Sequence, residues 1–459
     1  MVGLSHMFSK KSRPGLRRKL LLSVPLVFVC LILSAYVFRE PIIRGYIAIR
    51  ISKGQPFIPP TPAANESGWS RRLGYVQFYW DLAKLELDRR KRIKQFNTTL
   101  QPLIKELRQR QAAGEGMQYS MHIYREIRWR LNFTPDTTAT RARIKDLQES
   151  LSQSELQKLA AEQQASDGSW GLGFTVWYLK LYYTVEDGLG TLNGPPRQPL
   201  AFLDRINTPE KLKTHLDSLL HNNFTTTGVF NREELDETFS AVARLLAENK
   251  YTNYYSFHSG LKNALREFVN KWQNPQTGCW GQWMVDRHGR VWNMDDMAIT
   301  FHVVSDFRGQ VDNLDRVAKR VLQLDGINFP GGIRVNGHYE NHLNWDVVKI
   351  LHYAWPVLDE KTREVARHEI AQMLQWCLTE SLDADGTFKT SDLDDTLGDA
   401  FVYGVSFLRD AGYFRKSDCF WTDQNFPEAE AVRNRIIARL RSIGLNDPGL
   451  KEAYKTLQE

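Results

Sequence analysis

A short glycine turn recurs five times along this chain, and the recurrence restricts the fold more than any other feature. Gly168-Ser-Trp170, Gly228-Val-Phe230, Gly278-Cys-Trp280, Gly331-Gly-Ile333 and Gly386-Thr-Phe388 follow one another at spacings of 60, 50, 53 and 55 residues. Periods of this size mark stacked supersecondary units, each of which buries its apolar face only against its neighbours. Every turn leads into an apolar helix candidate: "FTVWYLKLYYTV", "LDETFSAVARLL", "MDDMAITFHVVSDF", "NWDVVKILHYAW" and "DDTLGDAFVYGVSFL". Each is preceded by a more polar one: "TRARIKDLQESLSQSELQKLAAEQQ", "PEKLKTHLDSLL", "LKNALREFVNKW", "LDRVAKRVLQL" and "EKTREVARHEIAQMLQWCL", with "EAEAVRNRIIARLRSI" closing the run. Such alternation predicts an all-α fold, an α/α toroid of five to six helical hairpins over residues 142–445. A linear solenoid of helix pairs is the competing arrangement.

Ahead of the repeats stands "LLLSVPLVFVCLILSAYVF", Leu20 to Phe38, with 19 uncharged residues between Lys19 and Arg39. At 1.5 Å per residue it spans roughly 28 Å, enough for a bilayer core. It is also longer than the apolar run of a secretory signal, about 7–15 residues. The segment therefore reads as a single transmembrane anchor (20–38) behind a basic tail (1–19); cleavage after Ala35 is the alternative. A linker (39–73) containing "GQPFIPPTPAANESG", a juxtamembrane helical region (74–141) and a C-terminal tail (446–459) complete the organisation. Six bases precede the span, and Arg39, Arg44, Arg50 and Lys53 follow it. That excess favours a cytoplasmic N-terminus and an extracytoplasmic body.

The formal charge of +7 comprises +6 in the first 19 residues and +3 over residues 39–53, leaving −2 for the remainder. The basic balance thus belongs to the membrane flank, and nucleic acid is set aside as a partner. "DRRKR" (Asp88 to Arg92) reads either as a solvated helix face or as a contact for anionic lipid headgroups. Four widely spaced cysteines supply neither a disulfide framework nor a CxxC metal site.

"QASDGSW" (Gln164 to Trp170) and "QNPQTGCW" (Gln273 to Trp280) resemble the Gln-x(2–5)-Gly-x-Trp repeats of squalene and oxidosqualene cyclases. "DLDDT" (Asp392 to Thr396) is similar to the Asp-x-Asp-Asp-Thr acid motif of class II terpenoid cyclases, and protein prenyltransferase β subunits look like relatives of the same toroid. The resemblance implies a membrane-anchored enzyme that starts cyclisation of a polyprenyl-type lipid by acid. Asp394 would be its proton donor, tuned by Asp392 and Asp395. Carboxylates clustered in an apolar cavity cannot all ionise, so one stays neutral, and aromatic walls would stabilise a cation. The same acids also suit a helix N-terminus, where they accept from free backbone N–H groups. "ELDET", "NMDDM" and "NWDVV" place acids at equivalent points of other repeats.

Two further turns carry candidate substrate-binding groups. "RVNGHYENH" (Arg334 to His342) offers His338, Tyr339 and His342. Two histidines four apart suit a metal, but no third ligand is identifiable. His and Tyr among Arg and Asn instead resemble toroidal polysaccharide lyases, which neutralise a uronate carboxylate and abstract the adjacent proton. "RHGRVWNMDD" (Arg287 to Asp296) offers Trp292, Asp295 and Asp296, which would oppose Asp394 in a glycosidase-like carboxylate pair. No nucleotide-binding fingerprint or Ser or Cys nucleophile motif occurs, and no cofactor or metal is expected. Three functions follow: a cyclase-like enzyme on an apolar lipid, an extracytoplasmic glycan lyase or hydrolase, or a noncatalytic binding toroid.

Overall fold

Three of the five glycine turns share one backbone pattern. Ala165 N–H donates to Ser169 O and Gly168 N–H to Ala165 O; the same pair of bonds links Asn274, Gly278 and Cys279, and again Asp383, Gly386 and Thr387. The glycines sit at φ of +85°, +78° and +91°, a left-handed region that costs an L side chain and not glycine. A Cβ on Gly386 would lie 2.7 Å from the Arg435 carbonyl oxygen, so the turn leans on the backbone of the helix that follows in the next repeat. The two Gln-containing turns match further. Gln164 Nε2 donates to Gly168 O at 2.8 Å and Gln273 Nε2 to Gly278 O at 2.9 Å. Trp170 N–H donates to Thr184 Oγ1 at 2.9 Å and Trp280 N–H to Thr300 Oγ1 at 3.1 Å. Both indoles are buried. Gly331 departs from the pattern and is not left-handed.

The computed structural model describes residues 39–54, 57–58, 68–113, 115–185, 196–247, 254–391, 393, 396–445 and 447–459. The expected anchor, Leu20 to Phe38, lies outside them, as do Asp392, Asp394 and Asp395. Among the described residues no helix is long and apolar enough to cross a membrane.

The chain is mostly helical. It opens with α1 (Arg39–Gly54), β1 (Phe57–Ile58), α2 (Gly68–Ala112), α3 (Gln118–Phe133), α4 (Thr137–Ser150) and α5 (Ser154–Glu162). The repeats then contribute α6 (Trp177–Tyr183), α7 (Pro209–Leu220), β2 (His221–Asn222), a single turn α8 (Phe224–Thr227), α9 (Arg232–Ala247) and α10 (Leu261–Trp272). Next come β3 (Trp283–Val285), β4 (Val291–Met294), α11 (Met297–Asp306), α12 (Leu314–Gln323) and α13 (Asn341–Ala354). The last four are α14 (Glu360–Trp376), α15 (Leu397–Asp410), α16 (Ala429–Ile443) and α17 (Pro448–Gln458).

All five apolar candidates are helices: α6, α9, α11, α13 and α15. They pack side by side in chain order, and α17 adds a sixth member next to α15. Five of the six polar candidates form a second layer: α7 packs on α9 and α10, α12 on α13 and α14, and α16 on α17, whereas the first, residues 140–164, divides between α4 and α5, both packed on α3. One large apolar cluster from Trp170 to Leu457 fills the space between the layers.

Three segments differ from expectation. The stretch read as a linker, 39–73, contains α1 and the first turns of α2, which begins at Gly68. The C-terminal tail contains α17, which Asp447 caps by accepting from the N–H groups of Gly449 and Leu450. A four-stranded sheet in the order β1-β4-β3-β2 joins the N-terminal helices to the repeats, with β2 parallel to β3 and the other pairs antiparallel. Its strands are two to four residues long, too short to register as alternation. Beside it Phe78 of α2 stacks on Trp292 of β4 at 4.3 Å, and Asp81 accepts from Arg287. These contacts dock α2 on the β3–β4 hairpin.

Equivalent turns predict equivalent costs. Trp170→Ala and Trp280→Ala should each lower stability by about 3–5 kcal/mol, as for a large buried aromatic, measured by denaturant unfolding. Wild-type midpoints in both variants would contradict the repeat.

Candidate functional site

Contacts between α9 and α11 rise together along both helices. Arg232 forks onto Asp296, with Nε and Nη2 donating at 2.6 and 2.9 Å. One turn later Asp236 Oδ1 lies 2.7 Å from His302 Nδ1. Next, Ser240 Oγ donates to Asp306 at 3.0 Å, with Arg244 at 3.4 Å. The two helices are therefore parallel. α13 lies on the far side of α11: the Phe301 and Trp345 rings are 5.3 Å apart, and Lys349 Nζ stands over both, at 5.8 and 5.0 Å. From α15 the Tyr403 ring stacks on His342, 4.0 Å away and tilted by only 2°. On the other flank Tyr178 of α6 donates to Glu233 of α9 at 3.3 Å, and Trp129 of α3 packs on Tyr178.

Parallel helices with acids and histidines on facing turns bring several ionisable groups together away from bulk water. Their charge states diverge. Burial works against the His302 cation, yet the Asp236 carboxylate in contact with it, and Glu237 and Asp306 beyond, raise its pKa from 6.5 to about 10. Burial would raise Asp236, but the His302 cation and then Arg232 hold it below the ordinary carboxylate range. His342 goes the opposite way: burial and the neighbouring His302 charge push it down to about 3. Asp346, one helical turn beyond His342, is completely buried, and neither carboxylate oxygen has a hydrogen-bond partner among the described residues. Burial drives it well above its ordinary range, against the pull of His302. At neutral pH the site holds an imidazolium and a neutral imidazole, beside a carboxyl that burial shifts toward its protonated form. Arg232 and Asp296 cancel one another beside them. The side chain of His302 keeps 17 % of its exposure, and His342, Trp345 and Tyr403 are half-buried, so solvent reaches part of each of the four.

The expected site residues distribute unevenly. Only His342 joins this cluster as a group of unsatisfied capacity, its Nδ1 buried without a partner among the described residues. Asp296 caps α11 by accepting from Ile299 N–H and is pinned by Arg232, which makes it architectural. Asp295 is buried, accepting from Thr277 Oγ1 at 2.9 Å and Arg320 at 2.8 Å. Trp292 belongs to the separate core against α2, and its Nε1 donates to Asp286. His338 is exposed on a turn, where its backbone pairs with Val335. The Tyr339 hydroxyl faces Glu369 and Gln372 of α14, with the Arg334 guanidinium over its ring. The capping role weighed for "DLDDT" falls at α15 to Thr396, which forms a reciprocal capping box with Asp399.

Asp236 and Asp346 stood in the sequence only as the acids of "ELDET" and "NWDVV", read as architectural, and His302 was not singled out. His302 is a polar residue within the apolar run "MAITFHVV", a signal shared with any satisfied core histidine. Among the described residues no three His, Cys, Asp or Glu side chains are gathered as a metal site. At the opposite end of the central helices a cavity of about 400 Å³ is lined by His352, Arg409, Asp410, Cys419 and Phe420. Trp345 Nε1, donating to Asp410 at 2.8 Å, links it to the cluster. Compared with protein-family profiles, curated proteins and solved structures, the chain matches none.

Because the pKa of His302 is raised, its pair with Asp236 stabilises the fold fully below about 6.5, and the contribution is lost as pH rises through about 10. In Asp236→Asn, nitrogen-15 NMR of His302 should show its titration moving down and that pH-dependent stability disappearing. A midpoint still near 10 would contradict the pairing.

Proposed function

We propose that the central and peripheral helices close into an α/α toroid and that the protein is an extracytoplasmic enzyme acting on acidic glycans, with uronate eliminase chemistry. Closure is supported at the seam. Arg125 of α3 acts electrostatically on Asp447 at the start of α17, while Trp129 of the same helix packs on α6. Thus α3 packs on the first member of the series and lies within electrostatic range of the residue that caps the last.

The observation that carries the function is the gathering of two histidines and two carboxylates on α9, α11 and α13: His302 beside Asp236 at 2.7 Å, and His342 one turn before the buried Asp346. Groups pushed apart in pKa by their surroundings are how one site supplies acid, base and counter-charge at a single pH. His302, a fixed cation, pairs with a uronate carboxylate and stabilises the charge that develops on it. Neutral His342 takes the proton from the carbon next to that carboxylate; the C–O bond to the leaving sugar breaks as the C=C bond forms. His342 then returns the proton to the leaving oxygen on the same face. Trp345 and Tyr403 provide aromatic surface for sugar rings. Asp346 is enclosed and touches no substrate. It is a positioning residue: kept neutral, it does not compete with Asp236 for His302.

A charged lining favours this reading over the polyprenyl cyclase, whose cation would need aromatic and aliphatic walls. The cyclase acid, Asp394, and its neighbours Asp392 and Asp395 lie outside the described residues.

The test is turnover of acidic polysaccharides, followed by ultraviolet absorbance of the unsaturated product. His342→Gln should lose about 10²–10⁴-fold, the usual contribution of a positioned acid–base group, and His302→Gln should fall in parallel. Asp346→Asn should retain activity. New reducing ends without unsaturation would replace the lyase by a hydrolase. Product from a polyprenyl substrate alone would overturn the glycan reading.

A further inference from the structure

Nine large apolar side chains are exposed among the described residues, and six of them lie on two adjoining helices. On α1 these are Ile42, Tyr46 and Ile49; on the start of α2 they are Trp69, Leu73 and Val76, all between 57 % and 74 % exposed. Both sets follow the i, i+4, i+7 spacing that puts three residues on one helix face. The opposite faces are already used: Ile47 and Ala48 of α1, with Phe78, Tyr79 and Leu82 of α2, form the core against the β3–β4 hairpin.

The two helices are antiparallel. Lys91 reaches back to Glu40, and Arg44 bonds the Trp80 carbonyl and Asp81, so the pairing brings Ile49 alongside the first turns of α2. The exposed apolar residues are interleaved with bases. Arg50 and Arg72 are exposed, and Arg50 lies over the Tyr46 ring at 5.9 Å. Aromatic residues beside Lys and Arg are the composition of a helix lying in a membrane interface.

The chain outside the described residues identifies the occupant. The 19-residue uncharged segment Leu20 to Phe38 ends immediately before α1 begins at Arg39. A segment of that length crosses a bilayer core, so α1 starts at the depth where the headgroups begin. We propose that the exposed faces of α1 and α2 lie on the surface of an anionic bilayer, with Trp69 and Tyr46 at the headgroup level. This fixes the repeats at one height and orientation above the membrane, and it stands independently of the chemistry assigned to the site.

The full-length chain, with Cys30 and Cys419 replaced by Ser, is reconstituted into vesicles of phosphatidylcholine and phosphatidylglycerol. Nitroxide labels are placed at Ile49→Cys, Val76→Cys and, as a control, Val365→Cys on α14, which is 50 % exposed. The labels at 49 and 76 should be more accessible to oxygen than to an aqueous nickel chelate, the inverse of the control. Omitting phosphatidylglycerol should weaken that inversion. Chelate-accessible labels at 49 and 76 would overturn the proposal, and so would failure of the protein to float with the vesicles. Protection from both reagents would also overturn it, by making a second protein copy the occupant.

Discussion

The left-handed glycine turn is the constraint on which the rest depends. Each turn at Gly168, Gly278 and Gly386 is pressed against backbone of a neighbouring segment, where a Cβ would meet an atom at 3.0 Å or less. Glycine alone allows both the conformation and the approach. The Gly278 turn leads through the β3–β4 hairpin into α11, which runs parallel to α9, so the N-terminal halves of these two helices lie at one end. There the free N–H groups concentrate positive potential. Asp296 and Glu340 answer it as N-caps of α11 and α13, and Arg232 and His302 answer the acids in turn.

That arrangement explains why the site contains groups in unlike charge states. One imidazole faces a carboxylate across a helix pair and keeps its proton; the other faces an aromatic ring and that same cation, and rests neutral until a substrate proton is delivered to it. Asp346 has no cation in hydrogen-bonding contact. An ionised, unpartnered carboxylate in such a place costs more than holding the proton, so neutrality is the cheaper state. The fold thus produces acid–base diversity from three residue positions on two adjacent helices.

Helix positions were legible because apolar periodicity and glycine punctuation agree over five repeats, as in "LDETFSAVARLL" and "NWDVVKILHYAW". The equivalence of Trp170 and Trp280 was legible too, down to the Gln that braces each turn. The strands were not: two-residue elements such as Phe57–Ile58 form from tertiary contact and carry no pattern of their own. The site was only partly legible. Asp295 and Asp296 stood out as paired acids, yet both are spent on Arg320 and Arg232, partners 25 and 64 residues away in sequence. His302 inside "MAITFHVVSD" reads as a core residue until Asp236, 66 positions earlier, is seen facing it.

A buried Asp346 without a hydrogen-bond partner among the described residues and a His302 paired with Asp236 imply a protonated carboxyl on α13 and a charged imidazole on α11 at physiological pH. Infrared difference spectroscopy of the wild type against Asp346→Asn at neutral pH addresses the carboxyl directly. The wild type should show a protonated-carboxyl C=O stretch that the variant lacks. A difference spectrum showing only carboxylate bands would contradict it.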